Sequence, residues 1–159
     1  MISNGEVIMK GLREKLTGLL GKFDSISLLF FRLTLAYGFY GPAMKKLGNI
    51  EGIAKWFESM GFIYPTLNAY LATATESLGV VLLFLGLGTR LISLPLMIVM
   101  VVAIGAVHWP HGFSASNNGF EIPLYYLLML FCLFVRGPGC ISLDAWACGQ
   151  CKSSDTTEK

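Results

Sequence analysis

Four long apolar stretches limit what this 159-residue chain can fold into more than any other feature. They cover residues 26–44, 66–87, 91–109 and 118–135. A helix needs about 20 mostly apolar residues to cross a hydrocarbon core of about 30 Å, and the first three stretches are that long. The fourth reaches this length only if its helix begins near Asn118 and includes Glu121. In a helix, the apolar residues of each stretch would lie on all faces and not in one stripe. The sequence therefore predicts four membrane-spanning helices.

The composition of the chain excludes several other classes of protein. Asp, Glu, Lys and Arg make up 14% of the residues, against about 25% in ordinary soluble domains, which is too few to give a small domain a polar surface. An apolar and aromatic share of 54% excludes intrinsic disorder. Four cysteines do not make a dense disulfide scaffold. A net charge of +2 is too small to indicate nucleic-acid binding, so the expected partner is the lipid bilayer.

The segments outside the predicted spans complete a three-part organisation. Residues 1–25 form an arm in which apolar residues recur at helical spacing between lysines and arginines, which predicts an amphipathic helix at the membrane interface. Residues 26–136 form the four-span domain, and residues 137–159 form a tail. The second and third spans are joined by so few residues that they must form an antiparallel hairpin. The predicted fold is therefore an all-α integral membrane four-helix bundle with an N-terminal amphipathic helix.

The distribution of lysine and arginine predicts the orientation of this bundle. Eight of these residues lie in the arm, in the short turn at Arg90 and in the tail. Only three, Lys45, Lys46 and Lys55, lie on the opposite side. Cytoplasmic segments of membrane proteins carry the excess of Lys and Arg. Both termini are therefore predicted to be cytoplasmic, and the loop that carries His111 is predicted to face the outside.

Two charged residues lie inside predicted spans, Arg32 in the first and Glu76 in the second. A charge at the bilayer centre costs at least about 2.5 to 3.5 kcal/mol, so both side chains should face the interior of the bundle. With a rise of about 1.5 Å per residue, Arg32 lies roughly 9 Å and Glu76 roughly 16 Å from the cytoplasmic ends of their spans, a gap that two long side chains can close. We therefore expect them to pair, either as a structural ion pair or as a ligand or proton site.

His108 and Glu121 lie at the outer ends of the third and fourth spans, on either side of a short polar loop. Together with His111 they would make a three-ligand metal site, although Pro110 prevents a regular helix from aligning the two imidazoles. The alternative is that Glu121 accepts hydrogen bonds at the start of its helix while His108 bonds to a neighbouring helix.

A third interpretation makes the same histidine and carboxylate part of a quinone site. These two groups at the mouth of a bundle can hydrogen-bond a quinone carbonyl and relay its protons, because imidazole titrates near neutrality. The quinone ring needs an apolar cleft, and the candidates to line it are Phe39, Tyr40 and Tyr125. On this interpretation Arg32 and Glu76 support the site, and quinone is its cofactor.

The four cysteines differ in their predicted roles. Cys132 lies within the fourth span, where a buried cysteine is usually inert. Cys148 and Cys151 form a CxxC in the tail, a spacing that suits dithiol redox exchange or half of a zinc site, and Cys140 lies upstream. A lasting disulfide is not expected in a cytoplasmic tail. Since the chain has no dinucleotide, haem or iron–sulfur motif, an electron carrier would be quinone, a thiol or a group held by a partner.

Taken in order, these residues resemble the DoxX family of small four-helix membrane proteins. The similarity covers roughly residues 27–146. Its parts are the first-span pattern FFRLTLAYGFYGPAMKKLG, the second-span pattern TESLGVVLLFLGLGTR, His108 closing the third span, Asn118 and Glu121 opening the fourth, and GPGCISLDAW at Gly137–Trp146. The CxxC is not part of the family pattern.

The resemblance implies a four-helix bundle in the cytoplasmic membrane of a bacterium. For the best understood members it implies a membrane subunit of a thiosulfate–quinone oxidoreductase, or a partner in thiol and oxidative-stress chemistry. Other members occur beside genes for copper-binding peptide systems. Two functions are therefore predicted. The first is a redox-linked subunit that interacts with quinone, with a thiol or sulfur partner or with both, in a complex or homo-oligomer. The second is a non-catalytic assembly, tethering or transport-assisting factor linked to copper stress.

Overall fold

The computed structural model describes the backbone of residues 4–148 and the side chains of residues 23–147. The α-helices are α1 (Asn4–Gly48), α2 (Ile50–Ser59), α3 (Pro65–Leu85), α4 (Thr89–Val102), α5 (Glu121–Arg136) and α6 (Leu143–Cys148). A π-helical turn (Ala103–His108) continues α4, and two 3₁₀ turns (Trp109–His111 and Ala115–Asn117) lie in the loop before α5. The described residues contain no strand, which confirms the all-α prediction.

Helices α1, α3, α4 and α5 pack around one apolar core. α1 lies against α3 and α5, and α4 also lies against both of them. The core includes the fully buried side chains of Leu35, Leu83, Leu96, Leu130 and Leu133. Gly79 of α3 lets α4 come close, because a Cβ at this position would lie 2.9 Å from the Leu96 side chain. Small residues of this kind are typical of closely packed helices.

Helices α3 and α4 form the hairpin that their short connection predicts. α3 ends at Leu85 and α4 begins at Thr89. Gly86 (φ 71°) and Gly88 (φ 54°) both have left-handed backbone, which residues with a Cβ rarely adopt. These two glycines allow the chain to reverse within three residues.

The N-terminal arm is not a separate helix, because α1 runs without a break from Asn4 to Gly48. We predicted a boundary after residue 25, where polar residues interrupt the apolar pattern. These residues make tertiary contacts from a continuous helix instead. Asp24 pairs with Arg136 of α5, and the Ser25 hydroxyl accepts a hydrogen bond from the Cys140 N–H at 3.3 Å. The polar residues Asp24 and Ser25 therefore lie at the end of the helix bundle and not at the end of a helix.

Two segments of the described chain are long and apolar enough to cross a membrane, Pro65–Leu85 and Thr89–His111. Helix α5 is shorter than predicted, since its 16 residues begin at Glu121 and not near Asn118. Asn118 has left-handed backbone (φ 60°) and ends a 3₁₀ turn, so the helix cannot pass through it. Large apolar side chains nevertheless face outwards on α1, α4 and α5, as lipid contact requires. They include Phe30, Tyr37, Ile98 and Phe131.

The chain after α5 folds back onto the bundle instead of leaving it directly as a tail. The Asp144 N–H donates a hydrogen bond to the Gly86 carbonyl at 3.2 Å. The Arg32 guanidinium donates to the carbonyls of Pro138 and Ile141 at 2.9 and 2.8 Å. Residues 137–147 therefore cover the end of the bundle at which the α3–α4 turn lies.

Candidate functional site

A cavity of about 680 Å³, here called the main cavity, lies between the four long helices, at the end that carries α2 and the loop before α5. Much of its wall is apolar and includes the aromatic side chains of Phe39, Trp56, Phe57 and Tyr126. The polar residues that line it include Lys46, Asn68, Thr75, Glu76, His108 and Asn118. Concave sites with apolar walls and a few polar groups are typical binding sites for small molecules.

Two of the helices around the main cavity contain a proline where they line it, and one of them continues into a π-helical turn. Pro42 of α1 and Pro95 of α4 lie inside helices, where proline has no N–H to donate to the carbonyl four residues earlier. For Pro42 this carbonyl belongs to Gly38, which also lines the cavity. The π-helical turn Ala103–His108 continues α4, and such turns are frequent at functional sites. The backbone hydrogen bonding of α1 and α4 therefore departs from that of a regular α-helix where these helices line the cavity.

Glu76 is buried in the wall of the main cavity and pairs with Lys46, not with Arg32. Its Oε1 accepts a hydrogen bond from the Lys46 ammonium, and its Oε2 is buried and has no hydrogen-bond partner among the described residues. The predicted Arg32–Glu76 pair is therefore wrong. Its depth estimate failed because Arg32 lies level with Phe84 of α3, which puts Glu76 eight residues, or about 12 Å, further along the helix.

Arg32 is buried as predicted, but it lies away from the main cavity and binds backbone carbonyls. It donates to Leu83 at 2.9 Å and to Phe84 at 3.3 Å, both at the C-terminus of α3. It also donates to Pro138 and Ile141 of the returning chain. Its charge meets the negative end of the α3 dipole. Of the two interpretations of this residue, the contacts favour the structural one.

His108 lies on the wall of the main cavity and is held by one ring nitrogen. Its Nδ1 is 2.7 Å from the Asn118 carbonyl oxygen. A carbonyl oxygen only accepts hydrogen bonds, so Nδ1 carries a proton. In the neutral imidazole Nε2 is then a hydrogen-bond acceptor. Asn118 thereby fixes which nitrogen of His108 is left for other partners.

Glu121 shapes the loop beside the cavity but does not line the cavity itself. Its carboxylate accepts hydrogen bonds from the Ala115 N–H at 2.9 Å and the Tyr125 hydroxyl at 3.2 Å. His111 is exposed. Among the described residues, no group of three or more His, Cys, Asp or Glu side chains is placed to hold a metal. The structure therefore does not bring His108, His111 and Glu121 together as metal ligands.

Of the three aromatic residues predicted to line a quinone cleft, only Phe39 lines the main cavity. Tyr40 is 55% exposed and borders a separate apolar groove of about 400 Å³ between α1 and α3. Tyr125 is half exposed, and the neighbouring Tyr126 lines the cavity in its place, with its ring 5.6 Å from that of Phe39. Helical spacing explains why Tyr126 and not Tyr125 faces the cavity. Tyr126 lies on the same face of α5 as the buried residues Pro123, Leu130 and Leu133.

The predicted thiol chemistry falls mostly outside the described residues. Cys132 is half-buried in α5, in agreement with a packing role, and Cys140 is exposed in the returning chain. The backbone of Cys148 ends α6. Its side chain and all of Cys151 lie outside the described residues, so the CxxC stays a prediction.

The DoxX family profile matches residues 27–109, just over half of the chain. The chain belongs to the DoxX family. It is also similar to a Haemophilus influenzae protein named "Uncharacterized protein", with 30% identity over 125 residues, which covers 76% of the chain and 83% of that protein. A Bacillus subtilis protein named "Putative oxidoreductase CatD" is 31% identical over 111 residues, 70% of the chain and 78% of that protein. No solved structure matches the chain.

The DoxX region contains most of the polar groups of the main cavity. Lys46, Glu76 and His108 lie within the matched residues, and Tyr126 lies beyond them. The sequence predicts Glu76 and His108 as site residues, whereas the structure adds Lys46 and Tyr126, which were not predicted. The sequence contains a feature that could have indicated Lys46 as a site residue. It is a lysine in the last turn of a long apolar helix that also contains Pro42.

We expect Gly38→Ala to destabilise this DoxX protein and to disturb the main cavity. A Cβ at Gly38 would lie 2.0 Å from the Tyr126 hydroxyl oxygen, so the tyrosine would have to move. The free energy of unfolding should fall by about 1 to 3 kcal/mol, as for other overpacked sites. Gly41→Ala is the matched control, because no other side chain of the described residues lies within 4 Å of its Cβ position. Denaturation in detergent should show Gly41→Ala to be unchanged or more stable; equal stability of both variants would contradict the packing.

Proposed function

We propose that this DoxX protein is a four-span membrane protein that binds a quinone in the main cavity and serves as the membrane subunit of a redox reaction. One observation carries the proposal. Lys46, Glu76 and His108 come together with apolar walls in a single cavity. A quinone needs both surroundings, because its ring and tail are apolar while its two carbonyl oxygens accept hydrogen bonds.

The surroundings of the main cavity favour a ligand that arrives from lipid. Leu71 of α3 and Ile98 and Val102 of α4 line the cavity and are exposed. Their exposed surfaces belong to the two segments that are long and apolar enough to cross a membrane. In a bilayer these residues contact the hydrocarbon phase, which is where a quinone is dissolved.

The polar lining supplies the hydrogen bonds and protons that quinone chemistry uses. The Lys46 ammonium has two N–H groups beyond the one that bonds to Glu76, and the Tyr126 hydroxyl is a further donor. These donors match the carbonyl oxygens of a quinone. The interconversion of quinone and hydroquinone also requires a group that accepts and donates protons, and the His108 imidazole in the cavity wall is such a group. Electrons would come from a partner protein or a thiol.

We further propose that the protein lies in the cytoplasmic membrane of a bacterium with both termini in the cytoplasm. Arg90 and Arg136 lie at the end of the bundle that holds the α3–α4 turn, together with the basic N-terminal arm. The positive-inside rule assigns this end to the cytoplasm. The main cavity then lies toward the outer side. The name of the Bacillus subtilis relative, which refers to an oxidoreductase, supports a redox role.

A thermal-shift experiment in detergent tests the quinone site with Tyr126→Phe and Tyr40→Phe. Duroquinone is a suitable probe, because its ring is fully methylated and cysteine thiols do not add to it. It should raise the unfolding temperature of the wild type, since a ligand that binds only the folded state stabilises it. The shift should be reduced in Tyr126→Phe, which removes a hydroxyl donor from the cavity, and kept in Tyr40→Phe, whose tyrosine is half exposed and does not line the main cavity. No shift in the wild type would contradict the proposal.

A non-catalytic assembly, tethering or transport-assisting role is the second candidate. It is favoured by Arg32 and Glu121, whose polar contacts are with the backbone or with a neighbouring side chain of the same fold. On this alternative all charged residues order the bundle, and none meets a ligand. Protein purified in mild detergent would then contain no quinone on solvent extraction, and His108→Ala would keep the activity of the protein in cells.

A further inference from the structure

We infer that the main cavity accepts a hydrogen bond from its ligand at Glu76, and that it therefore binds a hydroquinone more tightly than the corresponding quinone. The inference rests on the proposed function and adds which redox form the site holds. Two acceptor atoms of the cavity wall support it, the second carboxylate oxygen of Glu76 and the Nε2 atom of His108.

The first acceptor is Oε2 of Glu76. The residue is 2% exposed and lines the main cavity, and its Oε2 is buried with no hydrogen-bond partner in the part of the chain that the structure describes. In the ion pair with Lys46 the carboxylate of Glu76 accepts a hydrogen bond at Oε1, and its second oxygen is an acceptor as well. A buried acceptor without a donor destabilises the protein unless a bound molecule supplies the donor. Oε2 thus favours a ligand with an O–H or N–H group.

The second acceptor is Nε2 of His108. Because Nδ1 donates its proton to the Asn118 carbonyl at 2.7 Å, Nε2 of the neutral ring carries no proton. No residue in the described part of the chain bonds to Nε2. Since His108 and Glu76 line the same cavity, the site presents two acceptors to one ligand.

The two redox forms of a quinone differ in the property that these acceptors detect. A quinone has two carbonyl oxygens and no donor, whereas a hydroquinone has two hydroxyl donors. The hydroquinone oxygens can also accept from Lys46 and Tyr126, so the reduced form loses nothing at those residues. The oxidised form leaves Oε2 of Glu76 unpaired. We therefore expect the hydroquinone to bind about tenfold more tightly, the usual effect of one satisfied buried acceptor.

Three ligands that share a tetramethylated six-membered ring test this preference in the wild-type protein. They are duroquinone, durohydroquinone and the dimethyl ether of durohydroquinone, which cannot donate. Dissociation constants are measured by calorimetry on detergent-solubilised full-length protein under anaerobic conditions. Durohydroquinone should bind about tenfold more tightly than duroquinone and the ether. The comparison of durohydroquinone with its ether involves no redox change and needs no mutation.

Glu76→Gln assigns the preference to one residue. Lysine only donates, so Lys46 should hold the amide oxygen of the glutamine, and the NH₂ group should take the place of Oε2. An acceptor thereby becomes a donor, and the ratio of hydroquinone to quinone affinity should fall to about one or below. Glu58→Gln is the matched control, because Glu58 is exposed on α2 and does not line the cavity. It should keep the wild-type ratio.

The outcomes separate this inference from the proposed function. Equal binding of all three ligands would overturn the donor requirement while the quinone site stood. Tighter binding of duroquinone than of durohydroquinone would overturn it as well. Failure of every ligand to bind would overturn both. An unchanged ratio in Glu76→Gln would show that the preference, if present, comes from another residue and that the role given to Glu76 is wrong.

Discussion

Arg32→Met should lower the free energy of unfolding by about 3 kcal/mol or more, because the charged side chain makes four hydrogen bonds in a buried position. Its guanidinium donates to Leu83 and Phe84 at 2.9 and 3.3 Å and to Pro138 and Ile141 at 2.9 and 2.8 Å. Methionine fills a similar space but donates nothing. The carbonyls at the end of α3 and in the returning chain would then lose their common donor.

Denaturation in mixed detergent micelles measures this loss, and Arg90→Met is its control. Arg90 is exposed and donates to the Val135 and Arg136 carbonyls only at 3.3 and 3.4 Å. Its replacement should change the free energy of unfolding by less than about 1 kcal/mol. Arg32→Lys should also be unstable, because an ammonium lacks the planar fork that reaches four carbonyls. Similar stabilities of Arg32→Met and Arg90→Met would show that the buried arginine does not hold the fold.

The sequence predicts those features of the fold that depend on one segment at a time. The lengths of the apolar stretches and the two glycines after Leu85 were sufficient to predict the α3–α4 hairpin, which the structure confirms. The cost of burying charge was sufficient to turn Arg32 and Glu76 inwards, and both are buried. Both inferences use local properties, namely hydropathy, turn chemistry and the solvation of a single side chain.

The partners of these buried charges depend on how segments far apart in sequence are aligned. Arg32 meets Pro138 and Ile141 because the chain after α5 folds back, which the composition of that segment does not reveal. Glu76 meets Lys46 because α1 extends beyond the predicted span to Gly48. A shift of a few residues between two helices changes the depth of a side chain by several ångströms. Pairing estimated from span ends was therefore wrong although the burial was right.

The sequence also did not show which of Tyr125 and Tyr126 faces the interior of the bundle. Successive residues of a helix point about 100° apart, so only one of the two can face the bundle. The buried positions of α5 include Pro123, Leu130 and Leu133, and they select Tyr126. An apolar stretch without charged residues gives little internal sign of which face is buried, because lipid accepts the same side chains as the core.

Lys46→Met should be the more damaging of two single substitutions in the buried ion pair. It leaves the carboxylate of Glu76, whose side chain is 3% exposed, without its cation, which should cost about 3 to 5 kcal/mol of unfolding free energy. Glu76→Leu leaves a lysine whose side chain is 17% exposed, and its long stem can carry the ammonium to water. Denaturation in mixed micelles should therefore rank wild type, Glu76→Leu and Lys46→Met in decreasing stability.

The double variant Lys46→Met/Glu76→Leu then distinguishes a structural pair from one kept for a ligand. Replacing a whole buried ion pair by apolar side chains is often neutral or stabilising, so the double variant should unfold within about 1 kcal/mol of the wild type. It should nevertheless lose the preference for durohydroquinone, because both the carboxylate acceptor and the ammonium donor are gone. If the double variant is as unstable as Lys46→Met, the pair orders the helices. Stability retained with the preference lost means that the charges, which the fold does not need, are there for what binds between them.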